Sequence, residues 1–194
     1  MSKADKTKEF IIERTASIFN TKGYAGTSLN DMTEVTGLTK GSIYGNFKNK
    51  EEVTLEAFKF NLGIMSCLFS TEMEKRKTYR EKLLAYPFIA NNYSETTFPK
   101  GGCPILNTAV ESDDTHPILK QQAALAFIRW KDKIIDLLNK GIEAKEFSEK
   151  LQPEQVALTI LAVLEGGIMI RKLTDNQEYI EKIMNTLRCY IEGL

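Results

Sequence analysis

Apolar residues recur at steps of three and four along almost the whole chain, with few runs of strict alternation, so the pattern predicts helices throughout and an all-α fold. A first helix is expected from about Asp5 to Lys22, with Ile12, Ala16 and Phe19 on its buried face and Gly23 as a left-handed cap. Thr27 or Ser28 begins the second. Ser28 and Asp31, three residues apart, resemble a capping box with aspartate in the glutamate position, and Gly37 stops that helix after about two turns. Thr39 caps a third helix, in which Ile43 and Phe47 stand one turn apart and face inward. Between the second and third, "TGLT" is a tight turn with Leu38 placed to fill the angle between two helices, which is helix-turn-helix grammar.

This orientation leaves Lys40, Gly41, Ser42, Tyr44, Gly45 and Asn46 on the outside or the flanks of the third helix. Those are DNA-facing chemistries. Gly41 lets a partner approach the backbone closely, Ser42 and Asn46 carry short hydrogen-bonding arms, Tyr44 presents a hydroxyl, and the helix N-terminus favours an anion. Lys50, at the start of the following helix, adds a cation for a phosphate, and Ser28 and Asn30 join the set from the second helix. An exposed helical corner with ordinary polar residues has the same pattern.

Beyond Glu51 the chain continues into a long connecting helix, with Val53, Phe58, Leu62, Met65 and Phe69 inward, and then a helix from about Thr78 to Asn92. The irregular stretch "YSETTFPKGGCPIL", with Pro99, Gly101, Gly102 and Pro104, suits a loop that lines or gates a pocket. A short helix around Asn107 to Ser112 follows, then a long one from about His116 to Gly141 carrying Leu125, Phe127, Ile128, Trp130, Ile134 and Leu138. Aromatic and Met side chains at this spacing describe a plain core as readily as a ligand pocket. The last two helices, one opening at Pro153 and one with Tyr179, Ile180, Ile183, Met184, Leu187 and Ile191, have more apolar surface than one core covers. With Gly166 and Gly167 permitting close approach, they suit a four-helix dimer interface; an intramolecular core is the alternative.

Composition narrows the classes. With 194 residues, 42% apolar and 27% charged, the chain can bury one sizeable core or carry a small domain on a larger one. No apolar run nears the roughly 20 residues that cross a bilayer, and "MSKADKTKEF" lacks a signal peptide's apolar region, so a cytoplasmic location and no membrane partner are expected. The net charge is zero, but residues 1–50 carry eight Lys/Arg against five Asp/Glu, a basic module on a mildly acidic body. Three widely separated cysteines suit reduced thiols better than a disulfide framework or a zinc site. The only histidine, in "DDTHP", belongs to a helix N-terminus, where Asp113, Asp114 and Pro117 are favourable. No nucleophile–histidine set is present beyond Cys103 and His116, which a helix is expected to separate, and no phosphate-binding glycine loop is found, so neither catalysis nor a cofactor is implied.

The stretch "IIERTASIFNTKGYAGTSLNDMTEVTGLTKGSIYGNFKNKEEV" resembles the TetR-type one-component transcriptional regulators. It has their aliphatic, Ala and Phe spacing on the first helix, then Gly-Tyr, a Thr/Ser cap, the Gly-aliphatic turn, and Tyr-x-x-Phe followed by Lys. The resemblance implies a three-helix helix-turn-helix DNA-binding domain over residues 1–50 and a helical ligand-binding and dimerisation domain over 51–194. It places the family's phosphate-contacting tyrosine on Tyr44, its lysine on Lys50, its small hydroxyl residue on Ser42, and a position often held by histidine on Asn46. Thr33 and Thr36 stand where small alanines are usual, and Gly45 removes a side chain that in some relatives touches bases. Base reading is thereby shifted onto Lys40, Ser42, Asn30 or DNA shape.

Relatives bind a small-molecule effector in the region holding Phe58, Leu62, Met65, Phe69, Phe98, Cys103, Phe127 and Trp130. They dimerise through the last helices, here through Leu161, Leu164, Ile168, Ile180, Met184 and Leu187. Some carry a cysteine in a similar Gly-Cys context; in "KGGCPIL" the glycines would leave Cys103 accessible beside Lys100, the conditions for sensing oxidants or electrophiles. Cys67 and Cys189, on apolar helix faces, are poorer candidates. The expectation is a homodimeric, ligand-responsive repressor of a palindromic double-stranded DNA operator. A cysteine-based redox or electrophile-responsive protein and an all-α small-molecule carrier without DNA binding are the readings from other classes.

Overall fold

The computed structural model describes residues 2–92 and 98–194, so the first part of the irregular stretch, residues 93–97, lies outside the described residues. Among those described, nine helices and no strand are present: α1 (Lys3–Gly26), α2 (Leu29–Thr36), α3 (Lys40–Asn46), α4 (Lys50–Glu74), α5 (Tyr79–Asn92), α6 (Pro104–Ser112), α7 (Pro117–Glu143), α8 (Pro153–Thr174) and α9 (Gln177–Glu192). The all-α expectation holds. Two compact units divide the chain, Met1–Met65 with Phe98–Ala124 and Ser66–Thr97 with Leu125–Leu194. The boundary drawn after residue 50 falls at the start of α4, inside the first unit.

In the first unit, Ile11, Ala16, Phe19, Met32, Ile43, Phe47, Val53 and Ala57 form the core of the three-helix head and the first turns of α4. On α1, Ala16 and Phe19 are buried as expected, but Ile11 rather than Ile12 completes the face: Ile11 is fully buried and Ile12 only half-buried. Two polar residues share that face. Thr15 satisfies its hydroxyl by donating to the Ile11 carbonyl at 2.7 Å, and Asn20 donates to the Lys100 and Gly102 carbonyls at 2.8 and 2.9 Å. Gly23 adopts φ 74°, ψ −179°, which is not the left-handed cap the sequence suggested; the chain instead breaks the helix there and makes another turn to Gly26. α6 begins at Pro104 rather than near Asn107, because proline is preset for the first position of a helix.

The head's second helix has the capping box read from the sequence. Ser28 Oγ accepts from the Asp31 N–H at 3.1 Å while the Asp31 carboxylate accepts the Ser28 N–H at 2.7 Å. The Lys22 ammonium beside Asp31, with the Ser28 hydroxyl and amide, holds this carboxyl well below the usual carboxylate range. A group with a depressed folded pKa stabilises the fold above its unfolded value, about 3.9, and loses that contribution as pH falls through the folded one. The thermal midpoint gap between wild type and Asp31→Asn is therefore expected to be present at neutral pH and to narrow on acidification from pH 5 toward pH 2. A gap independent of pH in paired thermal melts would remove Asp31 as a source of acid sensitivity.

In the second unit α5, α8 and α9 pack together. Here the sequence expectation is corrected. Leu161, Leu164, Ile168, Ile180, Met184 and Leu187, assigned to a dimer interface, are all buried within the single chain at 0–3% exposure. They are this protomer's own core, because α5 supplies the third wall that the sequence reading left to a partner. Gly167 likewise serves the protomer: a Cβ there would meet Met184 Cε at 2.6 Å and Ile183 Cγ2 at 3.3 Å, both on α9. Arg80 closes the end of the unit by donating to the Ile191, Glu192 and Glu146 carbonyls at 2.7 to 2.9 Å, so a cation meets the C-terminus of α9. Leu125 and Ile128, grouped above with core-type residues of α7, are exposed.

Candidate nucleic-acid interface

The turn between α2 and α3 forms because Gly37 takes a left-handed conformation, φ 67° and ψ 11°, and donates its N–H to the Thr33 carbonyl at 2.8 Å. Thr39 then caps α3 by accepting from the Ser42 N–H at 3.2 Å. Ile43 is fully buried, Leu38 and Tyr44 lean on the core cluster, and the opposite face of α3 is left outward.

That outward face contains an informative pair. Gly41 and Gly45 stand four residues apart, one turn of the helix. A Cβ at Gly45 would meet nothing within 4 Å, and one at Gly41 only Thr39 Oγ1 at 3.9 Å. The fold therefore needs neither glycine, although each disfavours this short helix by about 1 kcal/mol relative to alanine.

Lys40 flanks this face, exposed, and forms no ion pair among the described residues. Asn30 is exposed and Ser42 half-buried. Ser28 is engaged in its capping box, and Asn46 folds back to donate to the Ser42 carbonyl at 2.9 Å. Asn49 caps α4 by accepting from the Glu52 N–H at 2.9 Å. The Lys48 N–H and the Lys8 ammonium beside Glu52 hold its carboxyl below the usual range. Lys50, the first residue of α4, lies with its ammonium 4.4 Å from the centroid of the Tyr24 ring.

The residues that tie α1 to α6 were missed by sequence reasoning. Glu111 accepts the Tyr24 and Ala25 N–H groups, each at 2.8 Å, one on each carboxylate oxygen, which satisfies the amides exposed by the break at Gly23. Asn107 donates to the Gly101 and Asn20 carbonyls at 2.9 and 3.1 Å. His116 caps α7 itself, its Nδ1 accepting the Leu119 N–H at 3.3 Å. Gly-Tyr at 23–24 was visible as a motif, but no periodicity marks a carboxylate 87 residues later in the chain as its partner.

The residues expected to bind an effector divide between the units. In the first, Phe58 lines a cleft of about 20 Å³ with Phe19, Tyr24, Asn61, Glu111 and Leu119, room for one water-sized group. Leu62 is half-buried, and Met65, Phe98 and Cys103 are buried. In the second, Phe69, Tyr86 and Trp130 form an aromatic cluster with centroids 4.9 to 6.3 Å apart, Phe127 is half-buried, and burial pushes the Tyr86 hydroxyl pKa up. Cys103 corrects its expectation: at 1% exposure the thiol is not accessible, because Pro104 starts a helix directly after it and the preceding carbonyls are tied to Asn20. Cys67 and Cys189 are the exposed thiols instead.

Residues 11–57 match the family described as bacterial regulatory proteins, tetR family, and residues 79–187 match the tetracyclin repressor-like C-terminal domain. The crystal structure of a TetR-family transcriptional regulator from Cytophaga hutchinsonii is similar at a TM-score of 0.97 and 44% identity, over 100% of this chain and 97% of that one. A TetR transcriptional regulator from Chloroflexus aurantiacus is similar at a TM-score of 0.92 and 33% identity, over 99% of this chain and 97% of that one. The chain is also 22% identical, over 93% of its length and 89% of the relative's, to the HTH-type transcriptional repressor DhaR of a Mycobacterium species.

Proposed function

Because the chain belongs to the TetR family of DNA-binding transcriptional regulators, which are not enzymes, we propose that it is a cytoplasmic repressor that binds a palindromic operator as a dimer and is released by a small-molecule effector. The observation that carries the reading is the outward face of α3, where Lys40 flanks two glycines that the fold does not require. Residues 1–50 act as the reading head. Lys40, Ser42 and Asn30 address base edges; Tyr44, Lys50 and the capped N-termini of α2 and α4 address phosphates. An effector with apolar surface binds in the second unit, drawing on side chains such as Phe69, Phe127 and Trp130. It shifts the spacing of the two heads by no more free energy than its differential affinity for the two states.

The dimer face proposed here replaces the buried residues named from sequence. Leu158, Met169 and Leu173 on α8 and Tyr179 and Tyr190 on α9 are exposed, with Ala162 and Ile183 completing two stripes at helical spacing on adjacent helices. A second copy presenting the same two helices covers both stripes about a two-fold axis. The heads then address half-sites about 34–36 Å apart, one turn of DNA.

Sequencing the genomic fragments retained by the purified protein tests the reading: an inverted repeat with that spacing is the expected result, and enrichment of no DNA at all would overturn it. On a retained fragment, Lys50→Ala is expected to lower the magnitude of the salt slope by about 0.9, since one phosphate contact fewer releases about one counterion fewer. Lys40→Ala should instead alter which sequences are preferred. Uniform weakening across sequences would make Lys40 a backbone contact.

A further inference from the structure

Lys50 occupies the first position of α4, where the helix dipole opposes a cation, so something must hold its ammonium there. The Tyr24 ring lies under it at 4.4 Å. That ring is itself fixed. The Tyr24 N–H is captured by Glu111 at 2.8 Å, and the His116 imidazole meets the ring edge-on, with centroids 4.6 Å apart and planes at 76°. His116 is oriented in turn, its Nδ1 accepting the Leu119 N–H and its Nε2 lying 3.2 Å from Glu51 Oε2. All of these groups belong to the first compact unit, and none lies on α2 or α3.

We propose that Tyr24 is the positioning residue for Lys50, its ring face holding the ammonium at the N-terminus of α4 in place for a DNA phosphate. The proposal rests on the reading of Lys50 as a phosphate contact. The negative face of the ring attracts the ammonium, and confinement over it removes rotamer freedom that a lysine otherwise loses only on binding. The N-terminus of the same helix also favours an anion, so cation and helix terminus act on one phosphate. Glu111 on α6 and His116 before α7 set the ring, so two elements outside the head govern where the lysine stands.

The test uses the full-length protein and duplex DNA of random sequence, because phosphate contacts are read on any sequence. Affinity is measured against salt for wild type, Lys50→Met, Tyr24→Phe, Tyr24→Leu and the Tyr24→Leu/Lys50→Met double variant. Tyr24→Leu is expected to weaken binding about two- to five-fold, the worth of an exposed cation–π contact. Tyr24→Phe, which keeps the ring face, should retain wild-type affinity, and the Tyr24→Leu effect should vanish in the Lys50→Met background. Equal weakening by Tyr24→Leu in both backgrounds, or no weakening, overturns the positioning role while the Lys50 reading stands. An unchanged salt slope in Lys50→Met overturns that reading and this inference with it. Should Tyr24→Leu not fold, the wild type decides alone: the Lys50 Hε protons, assigned by their absence from Lys50→Met, are expected upfield of the other lysines, and shifts equal to those of exposed lysines overturn the proposal.

Discussion

Ile168→Glu is expected to destabilise the protein by about 3–5 kcal/mol, enough to unfold a domain of ordinary stability, because it places an unpaired carboxylate in a dry core. Met169→Glu, one residue further along α8, should leave the chain folded and turn a dimer into a monomer. The contrast follows from the helix period, which turns neighbouring side chains to different faces: Ile168 is 3% exposed and Met169 is 49% exposed. Thermal melts followed by circular dichroism separate the first outcome, and sedimentation at micromolar concentration the second. A folded Ile168→Glu protein would refute the assignment of Ile168 to the protomer core. A dimeric Met169→Glu protein would move the partner surface elsewhere.

The second large effect is at Gly23. Its φ of 74° with ψ of −179° is a conformation that residues with a side chain avoid, so alanine there is strained by about 1–3 kcal/mol from the backbone alone. A Cβ would also stand 2.3 to 2.4 Å from the Glu111 carboxylate, displacing the group that accepts the Tyr24 and Ala25 amides. Gly23→Ala should therefore lose stability from two sources, and in a Glu111→Ala background only the backbone part should remain. Gly26→Ala is the control, since its Cβ would make only an ordinary contact with Lys22 at 3.5 Å and its loss should be small or absent. Denaturant midpoints of wild type, Gly23→Ala, Glu111→Ala, their double variant and Gly26→Ala measure these losses. Additive losses at Gly23 and Glu111 would show that the carboxylate does not press on that position.

The head was largely legible in the chain because its signals are local. The Ser28–Asp31 box, the Gly37 stop, the Thr39 cap and the inward Ile43 and Phe47 each depend on residues within one turn of one another, and all five stand as expected. Errors began where a residue's fate depends on something distant. Ile11 rather than Ile12 is central because Thr15 and Asn20, polar residues invisible to a hydrophobic count, share the buried face. Cys103 had the flanking glycines of an accessible thiol, yet the following proline starts a helix and Asn20, 83 positions earlier, ties the segment down.

What the sequence determined by itself was the all-α class, the helix-turn-helix with its caps, the family, and the outward residues of α3, because caps, turns and the 3.6-residue period act over neighbouring positions. Only the tertiary structure decided which apolar face of α8 and α9 is spoken for. Each of these helices carries apolar residues on more than one face, and it is the third wall supplied by α5 that buries Leu161, Leu164, Ile168, Ile180, Met184 and Leu187 and leaves Leu158, Met169, Tyr179 and Tyr190 outside. It alone also joined Glu111 to Gly23 and Tyr24 to Lys50, since residues far apart in a chain carry no mark of each other until the fold brings a carboxylate to two open amides and a ring beneath an ammonium.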